Sequence, residues 1–297
     1  MTSTSKARLQ LLGAALLFST GGAAIKAAEF TGWQIASFRS GFAALALLLV
    51  VPGARRAWTL QQPESKLWPV VLIGGTYAGC LILFVLANRL TTAANTIYLQ
   101  STAPLYVLLL APWLLKEPVR RGDVRFMLAV GLGLMLFFVG VDQPRVTAPD
   151  PAAGNLLAVI SGFFWALTVC GLRWLTARPG RGLPIAAVTS GNLTAFLVTL
   201  PFALPLGAHS LAEWSVVVYL GVFQIALAYV LVANAIAHIP ALEASMILLI
   251  EPVLNPVWAW LLQGEVPGIW ALIGGAIILG ATTARSWAER RVEIPVT

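Results

Sequence analysis

Residues 67–87 read Leu-Trp-Pro-Val-Val-Leu-Ile-Gly-Gly-Thr-Tyr-Ala-Gly-Cys-Leu-Ile-Leu-Phe-Val-Leu-Ala, a run of 21 residues with no charge. An α-helix rises about 1.5 Å per residue, so roughly 20 apolar residues cross the ~30 Å hydrocarbon core of a bilayer. Only helices and closed barrels satisfy their backbone groups in lipid. A barrel strand alternates apolar and polar positions over about ten residues, whereas this run is continuously apolar. It predicts a membrane-spanning helix.

Runs of similar length recur on both sides of it. The predicted spans are Leu9–Ile25, Trp33–Val51, Leu67–Ala87, Ala93–Leu115 and Val124–Val141, then Gly154–Leu172, Leu183–Leu204, Trp214–Ala235, Ala244–Gln263 and Val266–Ala284. Pro, Gly or charged residues punctuate most of the gaps, as at Pro52-Gly53, Pro149–Pro151 and Pro179-Gly180. The fold class expected is therefore an all-α integral membrane protein of ten transmembrane helices.

Composition agrees. Of 297 residues, 59% are hydrophobic and 10% charged, against about 25% charged in soluble domains. Mean hydropathy is +0.84. So little charge cannot clothe a soluble surface, so the lipid bilayer is the expected partner. The net charge of +7 does not imply nucleic acid, because the basic residues lie in short loops where they orient the chain. Lys6 and Arg8 before the first apolar run mimic a secretory signal, but the run has a counterpart in the second half, so retention is expected. Cys80 and Cys170 lie inside apolar runs, without metal spacing or a disulfide framework, and read as packing or lipid-facing residues.

With the N-terminus in the cytoplasm, Lys6, Arg8, Arg55, Arg56, Lys66, Lys116, Arg120, Arg121, Arg125, Arg173, Arg178, Arg181, Arg285, Arg290 and Arg291 fall on the cytoplasmic side, 15 of the 19 basic residues. Lys26, Arg89 and Arg145 fall on the other side, and Arg39 lies within a span. Cytoplasmic loops are the ones enriched in Lys and Arg. Both termini are thus expected in the cytoplasm of a cell (inner) membrane protein, which requires an even number of spans.

The chain also repeats itself. Pro104 and Pro252 lie 148 residues apart, as do Glu117 and Glu265. Leu17-Phe18-Ser19 sits against Phe164-Trp165-Ala166 at a spacing of 147. The expected units are residues 1–148 and 149–297, with five spans each. An odd number of spans makes the second unit enter from the opposite side, an inverted repeat that suits alternating access around a site near the midplane. Channels can be built from such repeats too.

The motifs resemble the drug/metabolite transporter superfamily, EamA type. The second half carries Glu251-Pro252-Val253-Leu254-Asn255-Pro256, Leu262-Gln263-Gly264-Glu265, Gly274-Gly275 and Gly280. The first half keeps Pro104, Lys116-Glu117-Pro118 and Gly131, but has Ala103 where the acidic residue would fall. The resemblance spans the whole chain. It implies export of amino acids or other small metabolites, with ten-span aromatic amino-acid exporters the nearest members. Length, Tyr77 and the Phe163-Phe164-Trp165 cluster support that placement. It also implies that the third, fourth, sixth and eighth spans surround a central cavity.

Only Arg39 and Glu251 are charged residues well inside a predicted span. A charge there is costly and should face a cavity or a partner. Glu251 can bind a substrate amine or carry a coupling proton; structurally, it can instead bond backbone groups released by Pro252. Arg39 reads as a snorkelling or ion-paired residue. Tyr77, Tyr98, Trp165 and Tyr229 lie at interior depth, where they can stack on a substrate or simply pack helices. Gln100 and Gln224 can hold a carboxylate or ammonium, or bond between helices. Pro104, Pro252 and Pro256 are candidate hinges or fixed kinks.

His209 and His238 lie near loops, and no P-loop, His-Glu-x-x-His or Gly-x-Ser-x-Gly motif occurs. A non-enzyme is expected, without cofactor or metal and with a monomer as the working form. It would move a small-molecule substrate by ion coupling or facilitated diffusion. Cationic drugs, sugars or nucleosides are the alternative substrates, and a channel is the alternative class.

Overall fold

The computed structural model describes residues 3–56, 68–114, 121–139, 143–176, 183–235, 238, 244 and 247–293. Its regular structure is helical, with one isolated bridge between Arg145 and Ala148. The motif Lys116-Glu117-Pro118 lies outside the described residues.

In chain order the helices are α1 (Ser3–Ser19), α2 (Gly21–Ala27), α3 (Gly32–Val50), α4 (Pro52–Arg56), α5 (Trp68–Leu90), α6 (Ala93–Gln100) and α7 (Ala103–Leu114). Then come α8 (Arg121–Val139), α9 (Pro151–Thr176), α10 (Leu183–Ala203) and α11 (Leu211–Tyr219). A π-helical segment (Leu220–Leu227) joins α11 to α12 (Ala228–Ala235), followed by α13 (Ile250–Gln263) and α14 (Ile269–Glu293). Side chains stop the helix ends from fraying. Thr31 and Gln34 close a capping box at the start of α3, and Thr92 caps α6. Gly264 ends α13 at φ 65°, a left-handed conformation that glycine adopts without a Cβ clash.

Among the described residues, seven helical stretches are long and apolar enough to cross a membrane, with α1 and α2 forming one and α11 to α12 another. The other three predicted spans take a different form. The fourth, expected as Ala93–Leu115, breaks at Ser101-Thr102 into α6 and α7. The ninth, expected from Ala244, is helical over Ile250–Gln263 behind a turn at Leu249. The apolar part of α14 is shorter, Ile269–Arg285. Proline explains both breaks. Pro104 has no N–H for the carbonyl of Gln100, and Pro252 has none for that of Leu248. Pro104 becomes the second residue of α7 and Pro252 the third of α13, both in the first turn, where the missing N–H costs nothing. Hydroxyls recover part of the loss at the first break: Ser101 Oγ donates to Ile97 O at 2.7 Å and Thr102 Oγ1 to Leu99 O at 2.6 Å.

Large apolar side chains cover the outside of the bundle, and polar groups are buried within its otherwise apolar core. Leu45 and Leu49 on α3, Leu72 on α5, Leu128 and Leu132 on α8, Val198 on α10 and Leu262 on α13 are exposed. Ser37, Asn88, Asn95, Asn155, Ser161 and Asn192 are buried. That distribution suits a lipid solvent, because water is not there to satisfy outward-facing polar groups. α5 packs on α9 and α10, while α1 and α3 pack on α12 and the π segment. Glycine sets the closest of these approaches. A Cβ at Gly74 would stand 2.8 Å from Ser190 Cβ, and one at Gly221 would stand 2.5 Å from Arg39 O.

Candidate functional site

Both helix breaks open onto one cavity of about 530 Å³, within the size range of small-molecule sites. Ser101, Ala103 and Pro104 reach it from the α6–α7 break, and Leu248, Leu249, Glu251 and Pro252 from the start of α13. Irregular backbone is tolerated at membrane depth where it lines a cavity, so the placement of the breaks and of the cavity have one cause.

Aromatic rings form one part of the wall. Tyr77 meets Tyr229 edge-on at 5.7 Å between ring centroids and Trp165 at 6.2 Å, and Phe18 meets Tyr229 edge-on at 5.4 Å. Tyr77 is buried, whereas Trp165 and Tyr229 keep part of their surface. Edge-to-face geometry suits ring quadrupoles and leaves faces for a further apolar group.

The polar wall is of two kinds. Gln100 is engaged between helices: its Nε2 donates to Ser161 Oγ at 2.9 Å and to Cys80 Sγ at 3.4 Å, and Ser161 Oγ donates to Cys80 O at 3.0 Å. Gln224 comes from the π segment and leaves its Oε1 buried without a hydrogen-bond partner. Such segments commonly mark functional positions, because they turn side chains out of α-helical register. Glu251 lines the cavity, and no hydrogen bond or ion pair joins its carboxylate to the described residues. Among the described residues, Glu251 does not take the backbone-bonding role open to it.

Six of the sequence-predicted residues thus share one cavity: Tyr77, Gln100, Trp165, Gln224, Tyr229 and Glu251. Pro104 and Pro252 join them, but Pro256 and Tyr98 are not on its wall. Pro256 is buried one turn further along α13. Tyr98 packs instead against α14, where a Cβ on Gly275 would meet its ring at 2.6 Å, and lies 6.3 Å from the Phe137 ring. It sits two residues before Gln100, so the helical turn carries it away from the cavity.

Arg39 corrects the snorkelling reading. It is 2% exposed and belongs to the cavity wall. Arg285 also reaches the cavity, hydrogen-bonded to Asp123 and with its Cζ 5.2 Å from the Phe126 centroid. Another pair escaped sequence reading because both members lie at span ends. Lys26 Nζ is 3.0 Å from Glu265 Oε1, with both side chains almost fully buried. Lys26 also donates to Thr91 O and Thr147 O, and Ala93 N donates to Glu265 Oε2 at 2.7 Å. No group of three or more His, Cys, Asp or Glu among the described residues is placed to hold a metal.

Comparison with known proteins agrees with this architecture. The model of the EamA-like transporter family matches residues 5–139 and again residues 152–285. The threonine/homoserine exporter RhtA of Escherichia coli K12 is 27% identical over 228 residues, covering 75% of this chain and 72% of that exporter. The uncharacterized transporter YdfC of Bacillus subtilis is 25% identical over 261 residues, covering 84% and 80%. One solved crystal structure shares the fold with a TM-score of 0.62 at 20% identity, over 98% of this chain and 99% of that one. With two family matches that together span most of its length, and apolar helices around a shared cavity, the chain belongs to the EamA-like transporter family and is a multi-pass membrane transporter.

Proposed function

We propose that this transporter exports amino acids, aromatic ones among them, by alternating access. The observation that carries the reading is Glu251, a carboxylate without a partner among the described residues, on the wall of a cavity it shares with Tyr77, Trp165 and Tyr229. A buried charge left unpaired is costly, and a substrate ammonium or a coupling proton relieves it. The rings offer the apolar side chain a surface. Likeness to a threonine/homoserine exporter supports an amino-acid cargo.

The mechanism proposed is a pair of inverted repeats, residues 1–148 and 149–297, that rock about the two helix breaks. Its support is the correspondence between halves. Pro104 and Pro252, 148 apart, each lie in the first turn of a helix after a break, and Gly74 and Gly221, 147 apart, each make a close interhelical approach. The loop charges support a topology with both termini on the cytoplasmic side of the cell (inner) membrane. The Lys26–Glu265 pair then lies at the external end. The protein works as a monomer, without cofactor, through an ion gradient or facilitated diffusion. A cationic drug is the second reading, because an unpaired carboxylate among rings suits a cation as well as an amino acid.

The test is transport by purified protein in liposomes, with radiolabelled amino acids and with or without a pH gradient. Saturable flux of Phe, Tyr or Trp is expected. Absence of flux for every amino acid, with folded protein in the vesicles, would pass the reading to cationic drugs or sugars.

A further inference from the structure

Arg39 faces the same cavity with a charge opposite to that of Glu251. It lies on α3, and its side chain is buried at 2% exposure. Its Nε and Nη1 have no hydrogen-bond partner among the described residues. Other basic side chains within the bundle are engaged: Lys26 with Glu265, Arg285 with Asp123, and Arg89 with the carbonyls of Ile25 and Ala28. No ion pair joins Arg39 to Glu251. An arginine near the end of a span can snorkel to the interface, but this one ends in the interior wall.

Its position is held from behind. The backbone of α3 at Arg39 lies so close to the π segment that a Cβ on Gly221 would stand 2.5 Å from Arg39 O. On the cavity side, its neighbours are Tyr77, Cys80 and Tyr229. None of these offers a carboxylate. A buried guanidinium that stays charged, with unused donors in a planar fork, is matched by the two oxygens of a carboxylate. Leaving it unpaired is costly, and a ligand carboxylate would remove that cost.

We infer that Arg39 receives the carboxylate of the transported substrate, so the cavity selects molecules that carry one. This rests on the amino-acid reading above and narrows it. With the carboxylate on Arg39 and the ammonium toward Glu251, the α-substituent faces Tyr77 and Tyr229. An amine without a carboxylate lacks the first contact, which excludes simple cationic drugs.

Binding to the purified full-length protein tests this, with three radiolabelled probes: phenylalanine, 3-phenylpropionate and 2-phenylethylamine. In the wild type, phenylalanine and phenylpropionate bind, and phenylethylamine binds roughly tenfold more weakly or worse. In Arg39→Gln, affinity for both carboxylates falls by roughly 30-fold or more, while phenylethylamine changes little. Arg39→Lys keeps the charge without the fork and lies between. Should the glutamine variant fail to fold, the wild-type ranking of the three probes and the lysine variant still decide. Equal wild-type binding of phenylalanine and phenylethylamine overturns the inference. So does unchanged phenylalanine affinity in Arg39→Gln, which leaves the amino-acid reading intact. Arg39-dependent binding of phenylpropionate without binding of phenylalanine sustains the carboxylate role and overturns the amino-acid reading. Binding of neither carboxylate overturns both.

Discussion

Two regions of this bundle hold buried charge and treat it in opposite ways. Where α2, α6 and the turn after α13 meet, Lys26 has a carboxylate at 3.0 Å and two backbone carbonyls, and Glu265 also accepts from Ala93 N. Beside it, Thr91, Asn95 and Asn155 form a continuous hydrogen-bonded set. In the cavity, Arg39 and Glu251 share a wall and neither has a partner in the described protein. The chain has the means to satisfy a buried charge where the charge serves the fold. Charges left unsatisfied around a cavity of about 530 Å³ therefore point to something that arrives and leaves.

The largest expected effect falls on the paired region. Lys26→Ala strands Glu265 in a dry site, which should cost about 3–5 kcal/mol and lower the thermal unfolding temperature of the purified protein. Lys26→Met combined with Glu265→Gln removes both charges and should recover most of that loss. Arg39→Gln should lower stability much less, because no partner is stranded. Equal destabilisation by Lys26→Ala and Arg39→Gln would break the comparison.

Glu251→Gln comes next, with the effect on transport rather than on stability. Proton-driven flux in liposomes should fall by roughly tenfold or more, and the remaining flux should no longer respond to an imposed pH gradient. The other ionisable groups on the wall do not replace it. Among the described residues on the wall, Glu251 is the only carboxylate. An unchanged response to the gradient would remove Glu251 from coupling.

Trp165→Ala should have a smaller effect, and a selective one. An aromatic pair contributes about 0.5–1.5 kcal/mol beyond its buried area, so phenylalanine flux should fall several-fold while threonine flux changes little. Equal loss for both, at normal expression, would make Trp165 a packing residue. The smallest effect is expected at Tyr98→Phe, which should leave phenylalanine flux within about twofold, since the residue packs on Gly275 outside the cavity. A larger loss would mean that the cavity reaches the side of α6 that meets Gly275.

Much of this was legible before any coordinates. Runs such as residues 67–87 are long enough and apolar enough to have one stable solution in lipid, and charge in the loops is set by the same solvent. Tyr77, Trp165, Tyr229 and Glu251 were legible as site candidates because each departs from what lipid tolerates or sits at the depth where helices meet. The breaks before Pro104 and Pro252 were half legible. Proline shows where a helix loses a hydrogen bond, but only packing decides whether the result is a bend or a new helix. Tyr98 misled because, without the partner helix, nothing distinguishes the Gln100 side of α6 from the side that meets Gly275.

By itself, then, the sequence determined a helical bundle solvated by lipid, the repetition of its halves, and a shortlist of polar and aromatic residues that lipid would not accept. Those follow from local quantities: length, hydropathy and the backbone chemistry of proline. Tertiary structure alone decided the pairing of charge. Lys26 meets Glu265 and Asp123 meets Arg285 across gaps of more than a hundred residues, whereas Arg39 and Glu251 meet a shared void. The energy of a buried charge depends on what stands within a few ångströms of it, and that distance exists only once the helices have packed.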